Sequence, residues 1–178
     1  MQAQTTEQAA VTEQTATAQD KGAQYLTFML AGEHYAVEIL RVREIRGWSP
    51  VTRIPKSPAF LLGVLNLRGA IVPIIDLRMR LSLEAVAYTS VTVTIVLAVE
   101  SSHDTRNFGI VVDAVSDVME VPSSDLQAPP EISKGTNTEF ISGLAAVADN
   151  MVMLLDIDKL LDEKELSAAI DSPEVARG

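Results

Sequence analysis

The 178-residue chain contains no cysteine. That excludes a disulfide framework, a thiol nucleophile and a cysteine zinc site. Its two histidines, His34 and His103, are too few for a metal centre built from imidazoles. No apolar run reaches the ~18 residues that suggest a membrane span. The first 22 residues lack the basic and apolar regions of a secretory signal. A glycine loop followed by Lys-Ser/Thr is missing, as is a dinucleotide fingerprint. These absences lead us to expect a cytoplasmic protein with no catalytic residue, no cofactor, no metal and no direct membrane insertion.

Negative charge is plentiful, with a net charge of −10, which argues against a nucleic-acid partner. It is unevenly spread. Residues 41–80 hold eight Arg or Lys against two acids, whereas residues 81–155 hold ten acids against two bases. A basic segment in an acidic chain suits docking to an acidic partner, or is a solvated face whose charges happen to cluster.

Residues 1–22, rich in Thr, Gln, Ala and Glu, read as a disordered tail. The ordered region is expected over 23–163, followed by a fraying tail over 164–178. Val, Ile and Thr make up about a quarter of the chain and favour strands. Strands are expected at 25–30, 34–38, 63–67, 70–76, 91–99, 108–113, 114–121, 140–147 and 151–155. Ile39, Leu40, Val42 and Ile45 suggest a helical turn or bent strand. A hairpin should close at Arg68-Gly69, and Pro73 suggests that its second strand is an edge or bulged. Residues 100–106 read as a polar loop. Asp156 should cap a short helix with Ile157, Leu160 and Leu161 facing inward.

The chain echoes itself. Gly63 to Leu77 aligns without gaps onto Gly143 to Ile157, with glycine, turn, apolar strand and terminal aspartate in step. Tyr35 to Ile45 matches Phe108 to Val118 in pattern. Two similar β lobes follow, each marginal alone at ~70 residues and better buried when packed together, with a groove between them. Any two β-hairpins share some likeness, but the glycine and aspartate at fixed spacing favour duplication.

Catalytic chemistry is sparse. Ser101-Ser102-His103-Asp104 holds triad residue types, but adjacent in one polar loop, where nothing orients one against another. Asp76 and Asp156, one per lobe, suggest a paired-acid hydrolase. The bulky Leu77 and Ile157 that follow them fit strand-end capping better. Arg68, at a hairpin tip, can reach a partner's carboxylate with paired hydrogen bonds or can pair with an acid of its own chain.

Val51 to Ile54, Pro58 to Phe60, Asn66-Leu67-Arg68-Gly69, Ile71 to Arg78 and Gly109 to Val118 together resemble the CheW chemotaxis coupling protein family, over about 24–161. The resemblance implies an all-β fold of two SH3-like five-stranded barrel lobes on a shared hydrophobic region, with short helices including a C-terminal one. It implies a scaffold rather than an enzyme, coupling methyl-accepting chemoreceptors to the CheA histidine kinase at receptor arrays inside the membrane. It associates Val42, Glu44 and Arg68 with receptor binding. Gly63, Gly69, Gly109, Val115 and Val118 fall at positions sensitive for structure or coupling. The inter-lobe groove would then receive a ridge of the receptor's helical tip. The other readings are a CheW-like regulatory module of a larger chemotaxis protein, for whose kinase or receiver domains this chain has no room, and the two-lobed aspartic hydrolase.

Overall fold

The computed structural model describes residues 22–131, 137–164 and 166; most of both expected tails therefore lies outside the described residues. Strands β1 (Ala23–Leu30), β2 (Glu33–Glu38), β3 (Val42–Gly47), β4 (Leu61–Leu67) and β5 (Ala70–Asp76) lead into helix α1 (Leu77–Arg80). Strands β6 (Val93–Glu100), β7 (Thr105–Val112), β8 (Ala114–Val121), β9 (Leu126–Gln127), β10 (Ile141–Val147) and β11 (Asn150–Leu155) lead into α2 (Ile157–Leu160). A 3-10 turn, Ile39–Arg41, precedes β3, so the segment holds both a helical turn and a strand.

One sheet runs β8-β1-β2-β11-β10-β9 and the other β3-β6-β7-β5-β4. This is the expected two-lobed, all-β architecture. The lobes are not successive stretches of chain, however, which corrects the simple duplication picture. The first half gives β3, β4 and β5 to a sheet whose β6 and β7 come from the second half. The second half returns β8, β10 and β11 to the sheet that holds β1 and β2.

Alternation along the strands explains the core. In β6, Ile95 and Leu97 enter a shared cluster with Phe28, Leu30, Ile110 and Leu160, while Val96 between them joins Val72, Ile74 and Val111 inside the second sheet's lobe. In β2, Tyr35 and Val37 face the shared cluster while Ala36 faces Tyr25, Val121 and Leu154 inside the first. Strands buried on both faces require near-continuous apolar runs, which is what β2, β6 and β7 contain. The shared region is therefore filled by side chains rather than left as an open groove. Leu166, past the expected end of the ordered region, is buried in it.

The echoed segments superpose in detail. Leu61↔Ile75 and Gly63↔Ile74 bracket a bulge in β4, and Ile141↔Leu155 and Gly143↔Leu154 bracket the same bulge in β10. The amides of Asp76 and Asp156 donate to Phe60 O and Phe140 O, both at 2.8 Å. Their carboxylates accept from Met79 N and Lys159 N as helix caps. Capping is what both aspartates do, and Ile157, Leu160 and Leu161 face inward as the spacing predicts.

Two expectations need correction. β5 is an interior strand, flanked by β7 and β4, and the bulge lies in β4. Pro73 is tolerated because its partner Val64 bonds Thr52 on its other side, so this pair exchanges no hydrogen bonds. The polar loop is confined to Ser101–Asp104, with Thr105 and Arg106 already paired in β7. The two-residue strand β9 carries no readable periodicity and has no counterpart in the sequence reading.

Ion pairs fasten both halves. In the first, Asp113 accepts from Arg78 Nε at 2.7 Å and from the Ala31 amide at 2.8 Å. In the second, Asp158 accepts from Arg41 Nη2 at 2.6 Å and from the Glu100 amide at 3.0 Å. The helix carries the cation in one and the anion in the other.

The Arg78 guanidinium holds the Asp113 carboxyl below its usual range, aided by the Ala31 amide and opposed by desolvation. Because the folded state binds this proton more weakly than the unfolded chain, the stabilisation is complete above the unfolded value of about 4. It is lost as pH falls through the lowered folded value. Arg78→Ala is expected to cost about 1.5–3 kcal/mol at neutral pH. It should also flatten the acid limb of urea midpoint against pH. An acid limb as steep as that of the wild type would show that the pair does not act this way.

Candidate functional site

The second sheet curls until the chain after β3 meets β4. Thr52 and Val64 exchange backbone hydrogen bonds of 3.0 and 2.8 Å, closing the lobe. This closure brings the β4–β5 turn beside β3, so that residues distant in sequence share one face.

The turn is the two-residue kind that matches strand twist, with Arg68 at φ 53° and Gly69 at φ 87°. Asn66 Oδ1 accepts the Gly69 amide at 2.9 Å. Arg68 projects from the tip with its side chain 88% exposed, 3.8 Å from Glu44 Oε2. Glu44 lies between two guanidiniums, with Arg46 Nη1 at 3.9 Å from its other oxygen. Arg68 therefore meets an acid of its own chain, in a pair that is loose and open. An exposed pair of this kind contributes about 0–1 kcal/mol and leaves both groups free to exchange partners. Arg43, Arg53 and Lys56 of the basic segment are also exposed, whereas Arg41 and Arg78 are committed to the ion pairs above.

The structure separates the remaining predicted residues. Val42 is on the opposite face of β3 from Glu44, because a bulge between them reverses the side-chain alternation. Val42 pairs with Leu97 and packs on the shared core; Glu44 pairs with Val96. Val115 and Val118 lie in β8 at an edge of the other sheet, Val115 packed on the shared core and Val118 45% exposed.

The three glycines meet different constraints. At Gly63, φ is +147° and a Cβ would stand 2.2 Å from Thr52 O, against the bridge that closes the lobe. At Gly109 a Cβ would meet Ile74 Cδ1 at 2.5 Å and Thr94 Cγ2 at 3.0 Å. At Gly69 a Cβ would meet nothing within 4 Å, leaving only the left-handed backbone to resist substitution.

Sequence reasoning missed two features. One is the Asn66 side-chain bond, for which an Asx residue just before a turn is the signal. The other is Tyr88, whose hydroxyl donates to the buried Asp76 at 2.6 Å and whose ring lies 4.3 Å from Trp48. Burial, and then the bond to Asp76, pushes that hydroxyl's pKa up, so it stays a donor at every ordinary pH. A concave apolar surface of about 620 Å³ lies where β5 and β7 part, lined by Leu61, Ile71, Pro73, Phe108 and Leu166. It stands in place of the inter-lobe groove expected from the sequence.

The geometry defines a two-lobed β module with an exposed charged tip. The chain belongs to the CheW-like domain family, whose model matches residues 24–165. It is 44% identical over 146 residues to the chemotaxis protein CheW of Klebsiella aerogenes, covering 82% of this chain and 86% of that protein. It is 39% identical over 148 residues to the chemotaxis protein CheW of Rhizobium meliloti, covering 83% and 93%. The crystal structure of the scaffolding protein TtCheW from Thermoanaerobacter tengcongensis superposes with a TM-score of 0.71 at 28% identity, covering 79% of this chain and 93% of that one.

The glycine contacts predict a ranking by urea midpoint. Gly63→Ala should be the most damaging, beyond ~3 kcal/mol, because backbone cannot yield. Gly109→Ala should cost about 1–3 kcal/mol, because the Ile74 side chain can shift. Gly69→Ala should cost about 1–2 kcal/mol from backbone conformation alone. A Gly69 variant as damaging as the Gly63 variant would contradict this account.

Proposed function

We propose that this protein is a chemotaxis coupling adaptor that holds methyl-accepting chemoreceptors and the CheA histidine kinase together, acting by binding rather than catalysis. Membership of the CheW-like family and the likeness to a scaffolding protein support the adaptor role. The observation that carries the receptor side is Arg68, exposed on a backbone-fixed tip beside Glu44. A guanidinium so placed can trade its loose internal partner for a carboxylate on the receptor's helical tip, forming paired hydrogen bonds.

Val42 contributes to this face through packing beneath it. Gly63 and Gly109 support it by permitting close backbone and side-chain approach, and Gly69 by its turn. β8, with Val115 and Val118, lies on the other sheet and is the better candidate for contact with the kinase regulatory domain. Two partners can then be engaged at once, each on its own lobe. We take 23–163, with Leu166 packed on its core, as the unit that does this. Its place is the cytoplasm, at receptor arrays on the inner face of the membrane.

Arg68→Glu tests the receptor side. The variant should keep the wild-type Tm, because the side chain is exposed. It should bind a soluble receptor-tip fragment at least about tenfold more weakly, a change of ~1.4 kcal/mol. In a reconstitution with receptor fragment and kinase, it should lose the receptor-dependent change in kinase autophosphorylation. Wild-type binding by the variant would remove Arg68 from the interface.

A further inference from the structure

The duplicated hairpins form an internal control. β4–β5 and β10–β11 share register, bulge and turn length, and Arg68 and Ala148 occupy equivalent tips at φ 53° and 52°. A two-residue turn with a left-handed first residue therefore closes both hairpins, but the second residue is left-handed only in the first copy, at Gly69 (φ 87°), and not at Asp149. The halves differ in what surrounds the tip. At the position of Asn66 the second hairpin has Ala146, which offers no acceptor, and at the position of Gly69 it has Asp149. A hairpin of this register and turn length closes without an Asn66 bond, so strand pairing alone does not account for it.

We infer that Asn66 is a positioning residue for recognition: its Oδ1 bond to the Gly69 amide holds the Arg68 tip in the geometry that receives a partner's carboxylate. The inference rests on the proposed role of Arg68 and adds to it a residue that need not touch the partner. Asn66 is exposed and lies in β4 paired with Ile71, two residues before the tip. Its side chain reaches forward across the turn to bond an amide that otherwise faces solvent. Arg68 has a long side chain with much rotamer freedom and only one loose ion pair, so the backbone beneath it sets where the guanidinium can reach. Locking that backbone before binding lowers the ordering cost at the interface.

The test is a double-mutant cycle of Asn66→Ala and Arg68→Ala in the full chain, titrated against a soluble receptor-tip fragment. Tm and the exchange protection of the Gly69 amide are read in parallel. Asn66→Ala is expected to release the Gly69 amide, to leave Tm nearly unchanged and to weaken binding about three- to tenfold. In the Arg68→Ala background it should weaken binding no further, because a residue acting through Arg68 has nothing left to position. If Arg68→Ala alone leaves binding intact, the recognition reading fails. If Arg68→Ala weakens binding and Asn66→Ala does not, that reading stands and the positioning inference fails. Equal losses in both backgrounds, or a loss that tracks a fall in Tm, would overturn the inference in favour of a separate contact or a structural role.

Discussion

Exchange of strands between the two halves is the constraint on which the molecule depends. β8 can pair only with β1, and β3 only with β6, so neither sheet exists until both halves are present. The parallel ladders β5–β7 and β11–β2 tie the halves again, each through three residue pairs. Arg80 lies at the centre of this arrangement. Its guanidinium stacks between Phe60 and Phe140, 5.4 and 4.6 Å from the ring centroids, and its Nε donates to Leu160 O at 3.0 Å. The two phenylalanines are equivalent in the repeat, as are Arg80 and Leu160, so this contact sits where the halves meet. Cation–π contacts in partly buried settings contribute about 0.5–2 kcal/mol each. The same cation touches equivalent aromatic rings from the two halves.

The same logic explains how duplicated segments hold different chemistry without losing their shape. Arg78 and Asp158 are equivalent helix positions, yet one is a cation and the other an anion. Their partners, Asp113 and Arg41, have exchanged sign with them. In both halves a backbone amide at the end of the first strand of the half donates to whichever member is the carboxylate. The backbone supplies a fixed donor, and side chains have redistributed charge around it. This redistribution also draws two basic residues of 41–80 into internal pairs. The solvent-facing charge of that segment is thereby narrowed to Arg43, Arg53, Lys56 and the tip at Arg68.

Much of this was legible in the residues. Period-2 apolar runs, two-residue turns and the repeated glycine and aspartate located most strands, the β4–β5 hairpin and the Asp156 helix cap, because each is a local consequence of sequence; the helix after Asp76 was not foreseen. Strand exchange was not legible. The pattern of β3 is the same whether it pairs with β2 or with β6, and only tertiary packing decides. Pro73 misled for the same reason: it marks a strand position that donates no hydrogen bond, which is an edge in most sheets and here an interior pair of the non-bonded type. The exposure of Arg68 followed from its turn. Its closeness to Glu44 depends on closure through Thr52 and Val64, a contact with no local signature. The bulge that turns Val42 away from Glu44 was equally hidden, since a two-residue spacing in a strand normally means one shared face.

Where two copies of one hairpin share register, bulge and turn length, the residues in which they differ help to separate function from folding. Gly63 and Gly143, Asp76 and Asp156, and Phe60 and Phe140 are identical pairs at bulge, cap and contact with Arg80. They serve the architecture. Asn66, Arg68 and Gly69 stand where the second copy has Ala146, Ala148 and Asp149, on two-residue turns of which only the first is left-handed at both positions. Asn66 and Arg68 are exposed and add little to the fold, whereas Gly69 fits the left-handed second position of the turn. The proposed receptor contact would account for Asn66 and Arg68, with a partner's carboxylate meeting a guanidinium whose position the turn has already set.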